Sequence, residues 1–88
     1  MNVQFRASFS KDLRSIKNKN LLGRIRETIE YIEKAKKLSD IANLKKLKGG
    51  SIYYRIRVGE YRIGLTIEDD TVVFVRFLNR KEIYRYFP

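Results

Sequence analysis

Apolar and polar positions alternate along some stretches of this chain and recur every three or four residues along others. The opening stretch NVQFRA sets Val3, Phe5 and Ala7 on one side and Asn2, Gln4 and Arg6 on the other, a period of two that predicts a short strand. Phe9, Leu13 and Ile16 follow at helical spacing, and Ser8 or Ser10 is placed to cap that helix by accepting from free backbone N–H groups. The stretch KNKN interrupts the pattern. Asn20 is the expected cap of a second helix running to about Lys37, with Leu22, Ile25, Ile29 and Ile32 as its apolar stripe. The rest of that helix carries Arg24, Arg26, Glu27, Glu30, Glu33 and Lys34, and Glu30 with Lys34 is an ordinary i,i+4 pair on a solvated face.

The segment LSDIANLKKLKGG reads as a connection. Ser39 or Asp40 starts one turn of helix, Ile41, Leu44 and Leu47 anchor it, and Lys45, Lys46 and Lys48 point elsewhere before Gly49-Gly50 ends it. Three strands follow. IYYRIRV puts Ile52, Tyr54, Ile56 and Val58 on the core side and Tyr53, Arg55 and Arg57 on the other. Gly59-Glu60 is a two-residue loop with glycine first, suited to a type II′ hairpin. YRIGLTI then places Tyr61, Ile63, Leu65 and Ile67 inward and Arg62, Gly64 and Thr66 outward. After a turn at Asp69-Asp70, TVVFVRFLNR is apolar on both sides at first, as a central strand should be, and Arg76 and Arg80 share a parity near its end. The order β-α-α-β-β-β belongs to the α+β class: two N-terminal helices on one face of a mostly antiparallel four-stranded sheet, with residues 1–88 as a single domain.

Charge changes the picture of the uncovered face. Twenty Lys and Arg stand against ten Asp and Glu, a formal net charge of +10, and such a surface attracts polyanions by releasing their counterions. There is no cysteine, which excludes disulfides, thiol nucleophiles and thiolate metal sites, and fits a reducing compartment. The N-terminus lacks the apolar core of a signal peptide, and no apolar run approaches the ~20 residues of a membrane span. A cytoplasmic protein with no membrane partner is expected.

The hairpin register sets Arg57 directly opposite Arg62 on the outer face, a like-charge pair that an anion would relieve. Arg55 lies on the same strand face, and the ending NRKEIYRYFP brings Arg80, Tyr84 and Tyr86 near it. The combination points to a phosphate-binding face. It also permits chemistry without histidine, of which the chain has none. Cleavage of RNA by its own 2′-hydroxyl needs a proton acceptor, charge stabilisation at phosphorus and a protonated leaving oxygen. Arginine stabilises phosphoryl charge through its fork of donors. A phenol beside cations has its anion favoured and becomes a workable base.

The segments NLKKLKGG, YYRIRVGEYRIGL and VVFVRFLNRKEIYRYFP resemble the RelE/ParE superfamily of type II toxins, and its RelE-type members most closely. The resemblance extends over the element order of the whole chain. It implies a compact α+β fold, cleavage of messenger RNA in the ribosomal A site through the 2′-hydroxyl without metal or other cofactor, and a cognate antitoxin protein that wraps the toxin. Ribosome and messenger RNA are the other implied partners. By the same resemblance Arg62 binds the scissile phosphate, Arg80 stabilises the leaving group and Tyr84 is the base or a base-stacking group, these three being the catalytic set. Arg55 and Arg57 stand where well-studied relatives have lysines, and Lys45, Lys46, Lys48, Lys81 and Tyr86 complete the expected RNA-binding set, with no metal site. Asn79 stands where many members have histidine. Two other functions fit the same features: a ParE-like toxin that inhibits DNA gyrase without nuclease chemistry, and a non-enzymatic RNA-binding module.

Overall fold

The alternation read from the sequence builds the hairpin around Gly59-Glu60 as expected, and the rest of the sheet grows from it. A computed structural model describes residues 1–88. Its elements are β1 (Asn2–Phe5), α1 (Ala7–Arg14), α2 (Lys19–Lys34), a 3-10 turn (Leu38–Asp40), β2 (Leu44–Lys46), β3 (Tyr53–Val58), β4 (Tyr61–Glu68), β5 (Thr71–Asn79) and α3 (Arg80–Tyr86). Val58 faces Tyr61 and Arg57 faces Arg62 across the hairpin, and Gly59 takes the positive φ of 60° that the first loop position of a type II′ turn requires.

The sheet has five strands in the order β1-β5-β4-β3-β2, not four. β1 runs parallel to β5 and every other pairing is antiparallel. The additional strand is β2, in the segment expected to be a helical turn anchored by Ile41, Leu44 and Leu47. The 3-10 turn does form at Leu38–Asp40, but Asn43 then adopts a φ of 61°, which ends any helix and redirects the chain along β3. Leu44 pairs with Ile56 and Lys45 with Arg55. Three residues are too few for alternation to declare a strand.

Helix boundaries moved for local reasons. Asn18, not Asn20, caps α2, its Oδ1 accepting from the Leu21 N–H at 3.1 Å. The helix stops at Lys34, before Lys37, because Ala35 turns extended. β1 ends at Phe5, so Ala7 opens α1 instead of closing the strand, and no side chain caps that helix. Ser8 serves the sheet: its hydroxyl donates to the Val75 carbonyl at 2.6 Å. One turn on, Asp12 accepts from the Phe77 N–H at 2.9 Å and binds Arg76 through Nε (2.8 Å) and Nη2 (3.2 Å). These two side chains of α1 occupy backbone groups of β5 beyond the point where β1 stops pairing with it.

A bulge between Gly64 and Leu65 of β4 leaves Val75 as an extra residue on β5. Strict alternation would put Phe74 and Phe77 on opposite faces; the bulge brings both inward, where they are 0% and 2% exposed. Phe9 of α1 and Ile25 and Ile32 of α2 pack with Ile63, Leu65 and Phe74 in one cluster, so both N-terminal helices lie on the same sheet face. The tail is the main departure. β5 ends at Asn79, and Arg80–Tyr86 form a third helix instead of a continued strand. α3 packs on the opposite, outer face of the sheet.

Candidate nucleic-acid interface

The seven-residue α3 is far too short to be stable alone, so its position depends on caps and docking. Asn79 supplies the cap: its Oδ1 accepts from the N–H groups of Lys81 and Glu82 at 3.0 Å each, and its Nδ2 donates to Glu82 Oε1 at 2.9 Å. The position expected to matter as a missing histidine is thus a helix cap. Docking comes from Ile83 and Phe87, one turn apart and 1% and 6% exposed. The Phe87 ring rests on Gly64, where a Cβ would lie 2.7 Å from it, and meets Tyr53 edge-on at 5.9 Å between centroids.

This seat places the tyrosines on either side. Tyr84 faces β3, with the Arg55 guanidinium carbon 4.8 Å from its ring centroid. Tyr86 faces β5, with Arg76 at 5.8 Å. The two flanks differ. Arg76 is held by Asp12, which keeps its guanidinium more firmly protonated than usual, chiefly through that hydrogen-bonded pair. It belongs to the scaffold, and Tyr86 rests on a neutralised cation. Arg55 has no carboxylate partner. It is the main reason the Tyr84 phenol titrates below its ordinary value, first as a hydrogen-bonding neighbour and then as a charge; desolvation opposes it, and Arg62 and Lys45 add weaker pulls in the same direction as Arg55. No well-aligned hydrogen bond joins Arg55 to the phenol at rest, so we assign the pull to the closeness of the guanidinium and not to one fixed contact.

Arg62 lies next to Arg57 as the register requires. Its Nη1 donates to the carbonyls of Gly59 and Tyr61, both at 2.9 Å. Hairpin carbonyls, not a carboxylate, offset the like-charge pairing. Arg80 sits at the rim, its Nε 3.3 Å from Glu60 Oε2, with both side chains well exposed.

Two adjoining clefts run over this face. One, about 360 Å³, is lined by Asn43, Leu44, Lys45, Arg55, Arg57 and Arg62. The other, about 380 Å³, is lined by Lys45, Lys46, Leu47, Lys48, Arg55, Ile83, Tyr84, Phe87 and Pro88. Lys45 and Arg55 belong to both, and no acidic residue lines either. A third cleft, beside α2, contains Glu27 and is not part of this surface. The structure therefore gathers Arg55, Arg57, Arg62, Lys45 and Tyr84. Lys46 has the parity of Tyr54, toward the helical side, yet it borders the larger cleft. Arg80, Lys81 and Tyr86 line neither cleft. No group of His, Cys, Asp or Glu is assembled that could hold a metal ion.

Asn43, Gly64 and Phe87 went unassigned in the sequence. Only Gly64 carried a usable signal, because glycine inside a strand marks a bulge or a close approach, and here it marks both. Chemically the surface can hold phosphates along a row of fixed cations and set a phenol beside them.

The sequence matches the family described as ParE toxin of type II toxin-antitoxin system, parDE, over residues 3–84. It is 45% identical to Toxin RelE3 of Methanocaldococcus jannaschii over 89 residues, covering 100% of both chains. The toxin fold of a RelB-RelE antitoxin-toxin complex from Methanococcus jannaschii superposes with a TM-score of 0.81 at 42% identity, covering 97% of this chain and 99% of that one. An archaeal RelE-RelB complex from Pyrococcus horikoshii OT3 shares the fold at a TM-score of 0.73 and 23% identity, over 90% of this chain and 93% of that one. The chain belongs to the RelE/ParE superfamily of type II toxin-antitoxin toxins.

Proposed function

We propose that this toxin is a ribosome-dependent endoribonuclease that cuts messenger RNA through the RNA's own 2′-hydroxyl. The observation that carries the reading is the acid-free cationic groove with Tyr84 at its wall. In this reading the Tyr84 phenolate takes the 2′-hydroxyl proton, helped by the cations that lower its pKa. The 2′-oxygen bonds to phosphorus while the bond to the 5′-oxygen breaks. Arg62 and Arg57 hold the non-bridging oxygens as charge develops there. Arg80, freed from the exposed Glu60, stabilises the leaving 5′-oxygen, which takes a proton from water. A 2′,3′-cyclic phosphate and a 5′-hydroxyl result. No step calls on a metal or an organic cofactor.

The partner that silences it is an antitoxin carrying an acidic or amphipathic segment, as the charge of +10 favours and as the RelB-RelE complexes of similar fold support. Ribosomes put the working compartment in the cytoplasm. No helix is long and apolar enough to cross a membrane.

The test is single-turnover cleavage of a message held on ribosomes, with cut sites mapped by primer extension. Tyr84→Phe should be nearly as damaging as Tyr84→Ala if the hydroxyl is the base. If the ring only stacks, Phe retains activity and Ala loses on the order of 1–3 kcal/mol. Wild-type cutting by folded Tyr84→Ala and Arg62→Ala would remove this face from the reaction. The match to the ParE family supports a second reading, inhibition of DNA gyrase without nuclease chemistry. Blocked supercoiling with uncut messages would establish it. RNA binding without cutting or toxicity would leave a non-enzymatic module.

A further inference from the structure

One tight turn, residues 59–61, holds two arginines. Arg62 Nη1 donates to the carbonyls of Gly59 and Tyr61 at 2.9 Å each. Between those two carbonyls, the Glu60 carbonyl accepts from the Arg80 N–H at 2.8 Å, and Glu60 Oε2 lies 3.3 Å from Arg80 Nε.

The two grips differ in charge. Carbonyls are neutral, so they aim Arg62 and leave its positive charge in place. Both bonds use Nη1, which leaves Nε and Nη2 for a ligand. Arg62 lines the charged cleft. The Glu60 carboxylate instead neutralises the guanidinium it holds, and Arg80 lines neither cleft. The Arg80 side chain is 58% exposed and that of Glu60 77%, so water surrounds the pair and parting them costs little.

The fold does not need this contact. The other ion pair of the chain, Asp12–Arg76, is more shielded and also takes a backbone N–H of β5. At Glu60 the backbone already fixes the turn, through the pairing of Tyr61 with Asn79 and the bond from the Arg80 N–H. The carboxylate's effect therefore falls on the Arg80 side chain itself.

We propose that Glu60 is a latch on Arg80, a built-in stand-in for a phosphate oxygen that keeps this arginine at the rim until an RNA phosphodiester replaces it. The proposal rests on the reading of this face as an RNA site and adds the regulation of that site. Arg57, Arg62 and Lys45 line one cleft and attract the phosphate. Arg80 then exchanges a single long contact for a two-pronged bond to the phosphate, which is stronger. Arg62 is the standing anion site and Arg80 the switched one.

The test is binding of a 2′-fluoro oligouridine pentamer, which has phosphodiesters and no nucleophilic 2′-hydroxyl, at low salt. Glu60→Gln keeps the side chain's shape, removes its charge and should bind the pentamer about three- to fivefold more tightly than wild type, the upper range for an exposed ion pair. Removing any nearby carboxylate also strengthens anion binding through the general field, so two comparisons isolate the latch. The gain should vanish in an Arg80→Ala background. Glu82→Gln, which removes a nearby charge and keeps the hydrogen bonding of the α3 cap, should give less than half of it. The Arg80 Nε–H resonance should move in RNA-free Glu60→Gln, and in wild type only when the pentamer is added. No gain from Glu60→Gln, or an equal gain in the Arg80→Ala background, overturns the latch and leaves the RNA site standing. A wild-type toxin that does not bind the pentamer removes the RNA site and the latch with it.

Discussion

The two faces of the sheet solve opposite problems. The face under α1 and α2 is closed: Ile32, Ile63, Leu65, Val72 and Phe74 are all 0% exposed. The outer face stays open and charged. Arg55, Arg57 and Arg62 lie within two strands of one another and none pairs with a carboxylate. Cations that serve the scaffold have partners, as Arg76 has Asp12. Arg55, Arg57 and Arg62, without a carboxylate partner, border the groove. Stability concentrates on one face, and the other retains repulsion that a polyanion relieves.

Breaking the closed face should cost the most. Phe74→Ala removes a fully buried ring that stacks near Phe5 and Phe9, and should destabilise by about 3–5 kcal/mol in denaturant titration. Arg62→Ala should do the reverse. Its melting transition should stay within about 1 kcal/mol of wild type, since it loses two exposed or partly buried hydrogen bonds and one like-charge neighbour. Single-turnover cleavage should slow by about 2.7–4 kcal/mol of barrier if Arg62 acts as a preorganised donor to the phosphorane. A large melting shift with intact cleavage would erase the contrast between the faces.

Gly64→Ala tests the seam between them. Its Cβ would meet the Phe87 ring at 2.7 Å, so α3 has to shift. Overpacking of this kind costs about 1–3 kcal/mol. Cleavage should fall with it although the substituted residue never touches RNA. Asn79→Ala should cost about 1 kcal/mol by uncapping α3. Hydrogen exchange should then accelerate at the α3 amides and not in α2, and Asn79→Asp should restore protection.

The smallest effect is a shift along the pH axis. Cations near Tyr84 favour its phenolate, so its folded-state pKa lies below the unfolded one. That stabilisation of the fold is present above the ordinary phenol value of about 10 and is lost as pH falls through the lowered value. For the reaction, Arg55→Ala raises the phenol's pKa, and the rising limb of the pH–rate profile should move to higher pH. Arg55→Lys should move it part of the way back. A limb that stays in place would show that Tyr84 does not accept the proton.

Much of this molecule was legible from residue order. Period two set Ile56, Val58, Ile63 and Leu65 inward and Arg55, Arg57 and Arg62 outward, and Gly59 set the register that makes Arg57 and Arg62 neighbours. These are local consequences of pleat and turn geometry. β2 escaped because its three residues owe their conformation to pairing with β3 and to the turn at Asn43. The third helix escaped because a heptapeptide helix has no stability of its own to advertise.

What the sequence determined by itself was the set of groups available: cations in excess, phenols at the tail, no histidine and no thiol, along with the face each residue of the β3–β4 hairpin occupies. Only the tertiary structure decided which of them meet. Tyr84 and Tyr86 are two residues apart, yet one lies by an unpaired arginine and the other by an arginine already claimed by Asp12. That difference comes from Phe87 settling on Gly64, a contact between residues 23 positions apart that no local pattern encodes.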